Sequence, residues 1–285
     1  MKKFLTKFAI HAVTLPVLFI LIYRGAVEGH QWLRTRGSTE ALYVIGDSRV
    51  VHGLDIVTLE EKLGVPVHSY ATHGMSTYNI YVIAELLPDG AKVMLSPSLG
   101  MFLREKEFMS FESAISLAGL YQLYDLGYEW WYFDKVLTAN RYPFGVQHFR
   151  FNREAFPITD GPDLEKSERF RRIYENLKSP PPRFAKNERM FELALEIMLE
   201  KGCDVRVVEF PLTEQLRTMR KASIFASFTD EIEILKDPRL KVWLDVELED
   251  PEGRNLFYDM DHLNERGRGL MTAWVYENVV GPSAP

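Results

Sequence analysis

Residues 41–48 read Ala-Leu-Tyr-Val-Ile-Gly-Asp-Ser, an apolar run that ends in a Gly-Asp-Ser turn. A short continuous apolar segment closed by a turn signal is the pattern of a strand covered on both faces. Working outward, Asp55 stands where it can cap a short helix that stops at Gly64, and residues 65–70 read as a second strand. Ser76 is placed to cap a further helix, whose apolar positions Ile80, Ile83, Ala84 and Leu87 recur at helical spacing. Residues 92–96 make a third strand. Strand and helix alternate at short intervals, which predicts right-handed βαβ units and a parallel sheet.

The rhythm breaks between residues 103 and 185, where no clean strand is visible and aromatic residues accumulate, most densely from Tyr121 to Phe133. That cluster reads first as the core of a helical insertion. A saccharide platform, a lid or a membrane-facing surface are its functional readings. Ser179-Pro180-Pro181-Pro182 reads as a stiff linker closing the insertion. Alternation then resumes with a helix over 186–201, a strand over 205–210, a shorter candidate strand over 241–246 and a last helix over 265–279. Residues 37–285 therefore read as one α/β domain carrying an insertion after its third strand. Ligands of such sheets bind at the carboxyl ends of the strands. That rule selects the loops 46–52, 71–76, 96–102, 211–215 and 254–264.

Composition limits the function classes. Hydrophobic residues make up 46% of the 285 and charged residues 26%, which fits a chain with a real core and excludes a mainly disordered one. Residues 1–36 hold six basic side chains (Lys2, Lys3, Lys7, Arg24, Arg34, Arg36) against Glu28, a balance of +5, so the remainder carries −11 of the chain's −6. A body that acidic does not suit nucleic acid, whose phosphates need a basic face. The single cysteine, Cys203, excludes an internal disulfide and a cysteine-built zinc site. The histidines are scattered without ligand spacing, no phosphate-cradling glycine loop is present, and no metal or cofactor is expected.

Residues 8–23 form a sixteen-residue apolar run without Lys, Arg, Asp or Glu, flanked by the basic residues of 1–36. Extended to Phe4 it is long enough to cross a hydrocarbon core, with Pro16 tolerable inside it. The leading expectation is a membrane anchor over residues 1–36. A cleaved signal peptide and a buried core helix are the other readings. Basic residues are equal in number on the two sides of the run, and the amino group tips the orientation toward an extracytoplasmic body.

The first and last of the selected loops carry the chemistry. Ser48 follows the first strand at the start of a helix, where backbone N–H groups face the same cavity as its hydroxyl. Asp259 and His262 precede the last helix, three residues apart, so the carboxylate can bond Nδ1 while Nε2 points away. A neutral imidazole can take the proton of a serine as it attacks, and a carboxylate holds the tautomer and stabilises the imidazolium. Ser48, His262 and Asp259 are the candidate nucleophile, base and orienting acid. Asp261 reads as a helix N-terminal charge or as an alternative orienter. Asp47 reads as a brace of the turn. Arg49 suits a carboxylate or phosphate, or an ion pair with a nearby acid, and His73 lies on a site loop.

Gly46-Asp47-Ser48, Gly74 within Tyr70-Ala-Thr-His-Gly-Met-Ser76, and Asp259-Met-Asp-His-Leu-Asn-Glu-Arg-Gly267 resemble the first, second and fifth sequence blocks of the SGNH (GDSL-type) hydrolases and acyltransferases. The resemblance implies a three-layer, flavodoxin-like parallel sheet and an acyl-enzyme on Ser48. It also implies an oxyanion hole that uses the N–H groups of Ser48 and Gly74. At the third block the family has Gly-x-Asn-Asp, whereas this chain reads Leu95-Ser-Pro-Ser-Leu-Gly-Met-Phe102. Ser96, Ser98 or Asn79 are the candidates to replace the missing asparagine donor. A strand ending in Ser-Pro, an amino-terminal anchor and an Asp-x-x-His-Leu ending are similar to the D-alanyl-lipoteichoic acid biosynthesis protein D family. They are similar also to the SGNH proteins of alginate and cellulose O-acetylation. That similarity implies a membrane-bound O-acyltransferase as partner, a glycan or envelope polymer as acceptor, and work outside the cytoplasmic membrane. A catalytically inactive scaffold of the same fold, binding a glycan or a membrane partner, is the alternative.

Overall fold

The alternation over residues 41–96 folds as its periods dictate. In the computed structural model, which describes residues 40–103, 152–163, 179–226 and 232–282 together with Thr14, Leu18 and Tyr174, five strands form one parallel sheet. They are β1 (Leu42–Gly46), β2 (Val67–Ser69), β3 (Lys92–Ser96), β4 (Asp204–Val208) and β5 (Lys241–Trp243), in the order β2-β1-β3-β4-β5. β1 lies in register with β3 from Leu42↔Lys92 to Gly46↔Ser96. The chain leaves β1 toward β2 on one side and later returns to β3 on the other. The crevice at this reversal, above the carboxyl ends of β1 and β3, is where such sheets bind ligands.

Seven α-helices accompany the strands among the described residues: α1 (Ser48–Gly53), α2 (Ile56–Leu63), α3 (Thr77–Leu86), α4 (Leu99–Leu103), α5 (Pro182–Glu200), α6 (Glu214–Lys221) and α7 (Glu265–Val275). α5 packs on α3 and α4, whereas α7 packs on α1, and the π-turn that extends it, Tyr276–Val280, reaches α2. Leu42, Val44, Met94 and Val208 join Val50, Leu54, Leu59, Met271 and Val275 in one core. The alternate strand residues Tyr43, Ile45, Val93 and Leu95 are buried as well, and successive strand side chains point to opposite faces. Both faces of the sheet are thus covered, an α/β fold consistent with three layers.

Local chemistry explains the helix ends. Asp55 caps α2 by accepting from the N–H of Thr58, and Gly64 ends it in the left-handed conformation. Ser76 and Asn79 form a reciprocal capping box at α3. Several boundaries differ from the sequence expectation. β2 and β5 are shorter than read: β5 ends before Asp245, whose φ is +51°, whereas beside β2 backbone hydrogen bonds to β1 run on at both ends, from the Leu42 N–H to Pro66 and from the Tyr70 N–H to Val44. The proline run is not a linker to its end: Pro182 is the first residue of α5, a position where the missing N–H costs nothing. α4 falls largely within the stretch 96–102 read as a loop, and α6 begins at the end of the loop read over 211–215. Asp261 is not a helix N-terminal charge, since α7 is capped by Asn264, whose side chain accepts from the N–H of Gly267.

The chain divides into two compact units, Met1–Arg36 with Met109–Val146, and Gly37–Phe108 with Gln147–Pro285. The sheet belongs to the second. Among the described residues no helix is long and apolar enough to cross a membrane. The apolar run 8–23 lies outside the described residues except for Thr14 and Leu18, and the aromatic cluster 121–133 lies wholly outside them.

Candidate active site

The turn after β1 is built around a glycine and a carboxylate. A Cβ on Gly46 would lie 2.3 Å from Val50 Cγ2 and 3.4 Å from Ser96 Cβ, so only glycine lets α1 start immediately after the strand. Asp47 caps α1 by accepting from the N–H of Arg49 at 3.0 Å, and its other oxygen accepts from the Ser98 hydroxyl. The Arg49 guanidinium is buried. It donates to the carbonyl of Pro97 at 2.6 Å and lies 3.6 Å from Asp47. Burial works against its charge, but Asp47, Asp261 and Glu209 outweigh that effect and raise its pKa further. Asp47, Arg49, Pro97 and Ser98 therefore tie the end of β1 to the end of β3. This leaves Ser48, half-buried, at the first position of α1.

The loop before α7 supplies the partners. Asp259 Oδ1 accepts from the backbone N–H groups of Asp261 and His262 at 3.1 and 2.9 Å, which fixes the carboxylate. The His262 ring presents Nδ1 to both Asp259 oxygens at 3.0 and 2.9 Å. Its Nε2 stands 2.8 Å from Ser48 Oγ, a contact between residues 214 apart in sequence. Because a carboxylate only accepts, Nδ1 carries the hydrogen, and Nε2 offers its lone pair to the serine hydroxyl. Burial would raise Asp259, but the hydrogen bonds from the His262 ring and from the two backbone N–H groups hold it below the usual carboxylate range. For His262, burial pulls the other way; the Asp259 hydrogen bond and the charges of Asp261, Asp259 and Asp47 leave it a stronger base than free imidazole.

Asp261 adds a second carboxyl to this corner. Its Oδ1 comes within 3.1 Å of His262 Nδ1, yet the N–H is aimed at Asp259, and Asp261 Oδ1 has no hydrogen-bond partner among the described residues. Burial is the largest influence on it. With the neighbouring charges of Asp259 and Asp47, burial pushes the carboxyl up to about 7 against the pull of His262 and Arg49. A carboxyl whose folded pKa is raised contributes stability that is complete below the unfolded value and lost as pH climbs to the folded one. Asp261→Asn is accordingly expected to flatten the fall in melting temperature between about pH 4 and about pH 7. His262, also raised, loses its contribution at the upper end of that range. Asp259, lowered, contributes above the unfolded carboxylate pKa and loses that only as pH falls. Thermal melts of both proteins across this range check the sign, and superimposable profiles would contradict it.

Three of the residues foreseen as oxyanion or substrate contacts hold local hydrogen bonds or lie buried. Asn79 Oδ1 is taken up by Ser76 at the start of α3. Ser98 is bonded to Asp47, and Arg49 is 4% exposed beneath the turn. Ser96 is fully buried at the end of β3, and its hydroxyl has no partner among the described residues. Gly74, at φ +76°, takes a backbone conformation that favours glycine. No hydrogen bond among the described residues engages its backbone N–H or that of Ser48. His73 is exposed, with its ring 4.9 Å from that of His52.

Two participants were invisible in the sequence. His52, one turn after Ser48 on α1, is buried, and its ring meets that of His262 edge-on at 5.9 Å. Phe156 belongs to the segment 152–163, which lies inside the insertion read over 103–185. It stacks on His52 at 3.9 Å and on Tyr258 at 4.2 Å, and meets His262 edge-on at 5.5 Å. The segment is stitched to the site by a bridge from Phe156 to Asn264, by the Glu265 N–H donating to the Phe156 carbonyl, and by Arg268 donating to the Arg153 carbonyl. No motif marks it; its only sequence signal is a largely polar stretch with one aromatic, Phe156.

Among the described residues, the one cluster of carboxylates and imidazole close enough to share an ion is Asp259, Asp261 and His262. Both imidazole nitrogens already sit at hydrogen-bond distance from oxygen, so proton sharing accounts for the spacing. The arrangement as a whole can activate a hydroxyl and deliver a proton to a leaving oxygen. Comparison with protein-family models and with curated proteins finds no match to this chain.

Proposed function

We propose that this protein is a membrane-anchored serine O-acyltransferase or esterase of the SGNH type, acting on a cell-surface polysaccharide or envelope polymer. The observation that carries the reading is the 2.8 Å approach of His262 Nε2 to Ser48 Oγ, with Asp259 spanning Nδ1 on the far side of the ring. Ser48 Oγ attacks the carbonyl carbon of an ester donor while its proton passes to His262. The oxyanion that forms is met by the N–H groups of Ser48 and Gly74. The imidazolium then gives the proton to the departing alkoxide, leaving an acyl-Ser48 ester. A hydroxyl of the acceptor repeats the sequence in reverse, with His262 taking its proton and Ser48 leaving. A polymer hydroxyl gives a transferase, and water gives an esterase. The apolar run 8–23 with its basic flanks supports the anchored part of the reading and the placement of the body outside the cytoplasmic membrane. The likeness to polymer O-acetylation proteins supports a membrane-bound acyltransferase as partner.

The inactive-scaffold alternative rests on the missing third-block asparagine. It does not account for a half-buried serine and imidazole and a buried carboxylate held at hydrogen-bonding distance from one another. A fluorophosphonate probe separates the two. The expected result is a single adduct on the peptide containing Ser48, formed at least a hundredfold more slowly in His262→Ala. Labelling elsewhere, or at an unchanged rate in the variant, would remove the nucleophile from this reading.

A further inference from the structure

Three carboxylate oxygens lie close to His262 Nδ1. Both belong to Asp259 at 3.0 and 2.9 Å except the third, Asp261 Oδ1, at 3.1 Å. The mechanism above gives Asp259 its role and leaves Asp261 without one. The single N–H of the ring bonds Asp259, so Asp261 Oδ1 stays without a hydrogen-bond partner among the described residues. The carboxyl is nevertheless fixed where it stands. Asp261 is 8% exposed, its N–H donates to Asp259 Oδ1, and the Met260 carbonyl before it accepts from the N–H and the hydroxyl of Thr213. Around Asp261 and the His262 ring stand Asp259 on the same loop, Asp47 and Arg49 after β1, and Tyr174 of the insertion. Glu209 after β4 lies beyond Arg49, and His52 and His73 lie beside the His262 ring. Of the two positive groups that act on Asp261, His262 attracts it more strongly than Arg49 does. A buried carboxylate needs a compensating positive charge. Transfer of the Ser48 proton creates one beside it.

We infer that Asp261 is a positioning residue for the acyl transfer: its carboxylate stabilises, by charge and not by a hydrogen bond, the imidazolium that forms on His262 as Ser48 gives up its proton. The inference rests on the acyl-transfer reading and deepens it. In the acylation step the bond from Ser48 Oγ to the acyl carbon forms while the proton passes from Oγ to Nε2. Asp261 transfers nothing. Its charge does little for a neutral ring and much for a charged one, so it favours the transition state over the resting site. The same preference acts before substrate binds, where it favours a protonated and therefore idle His262. Asp261 thus makes the base stronger and makes it fail at a higher pH, and the two groups titrate as a pair.

The test is the pH profile of kcat/KM for p-nitrophenyl acetate, measured on the full chain as wild type and as Asp261→Asn. The amide keeps the shape and loses the charge, so the acid limb of the variant is expected about one pH unit lower. Above the limb wild type is expected to be a few-fold faster, because its base is stronger. Below the limb the variant is expected to be the faster of the two, so the profiles cross. Asp259→Asn is expected to be slow throughout, with no crossing. A variant slower by one constant factor, or an acid limb that does not move, would show that Asp261 only shapes the loop and would overturn the inference. Asp261→Ser also removes the charge, and serves if the Asn variant does not fold. A readout without catalysis is the NMR titration of the full chain labelled with ¹⁵N-histidine, the His262 signal identified by its loss in His262→Gln. His262 is expected to titrate at lower pH in the Asp261 variant; the same midpoint in both proteins would overturn the inference. Ester turnover that persists in Ser48→Ala, with the NMR result as expected, would count against the acyl-transfer reading while upholding the pairing of Asp261 with His262.

Discussion

His262→Ala is expected to lower turnover of an activated ester by roughly 10⁴-fold or more, with little change in melting temperature. Among the described residues His262 is the hydrogen-bond partner of the Ser48 hydroxyl, so without it the attacking oxygen keeps its proton. Asp259→Asn should cost nearly as much for a different reason. The N–H groups of Asp261 and His262 both donate to Oδ1, so an asparagine oxygen stays at that position and its NH₂ turns toward the ring. Nδ1 must then accept, the hydrogen moves to Nε2, and Ser48 faces a donor instead of a base. A loss on the order of 10⁴ has this tautomeric origin. Asp261→Asn removes a carboxyl that makes no directed bond to Nδ1 and should cost far less. Steady-state rates of the three variants check the ranking; an Asp261 effect equal to that of Asp259 would contradict it.

The largest stability effect is expected beneath β4. Glu209 follows that strand and is 3% exposed, Arg220 on α6 is 6% exposed, and the two form an ion pair. The N–H of Asp245 also donates toward Glu209, at 3.4 Å. Removing one partner of a buried pair leaves the other charge without compensation, at a cost of about 3–5 kcal/mol. Arg220→Met is therefore expected to lower the melting temperature by roughly 10 °C, since about 1 kcal/mol shifts a domain of this size by roughly 2–4 °C. Adding Glu209→Gln should recover most of the loss, because the stranded charge disappears. Melting curves of the single and double variants test this. A double variant no better than the single would mean that the pair is not the source.

What was legible in the sequence, and what was not, follows from the range of the interactions. β1, β3 and the caps at Asp55 and Ser76 are set by side chains within a few residues of one another, so apolar runs and cap residues reveal them. Ser48, Asp259 and His262 were legible as a set because two loop motifs flank a pattern that places both at the same edge of the sheet. The Arg49, Ser98 and Asn79 side chains were foreseen at the substrate. Arg49 donates to Pro97, Ser98 donates to Asp47, and Asn79 Oδ1 accepts from Ser76, as polar groups near buried turns are satisfied by the nearest backbone or side-chain partner. His52 and Phe156 were not legible at all. Their contact joins α1 to a residue inside the insertion about a hundred positions later, and no periodicity encodes which segment will return to pack there. The same holds for Asp261, whose raised pKa depends on a burial that a four-residue motif cannot display.

The opening turn also gives the charge arithmetic a physical meaning. The −11 of residues 37–285 includes Asp47, Asp259 and Asp261, the carboxylates whose charges raise the basicity of His262. Acidity of the body and function of the site are thus connected at one place.

Ser48 as the acyl-accepting nucleophile is tested by a rapid-quench experiment on the full chain with p-nitrophenyl acetate, followed by peptide mass analysis. A burst of nitrophenolate close to one equivalent per chain is expected, matched by an acetyl group on the peptide containing Ser48 and absent in Ser48→Ala. Linear release without a burst or an adduct, or an acetyl group on another residue that persists in Ser48→Ala, would contradict it.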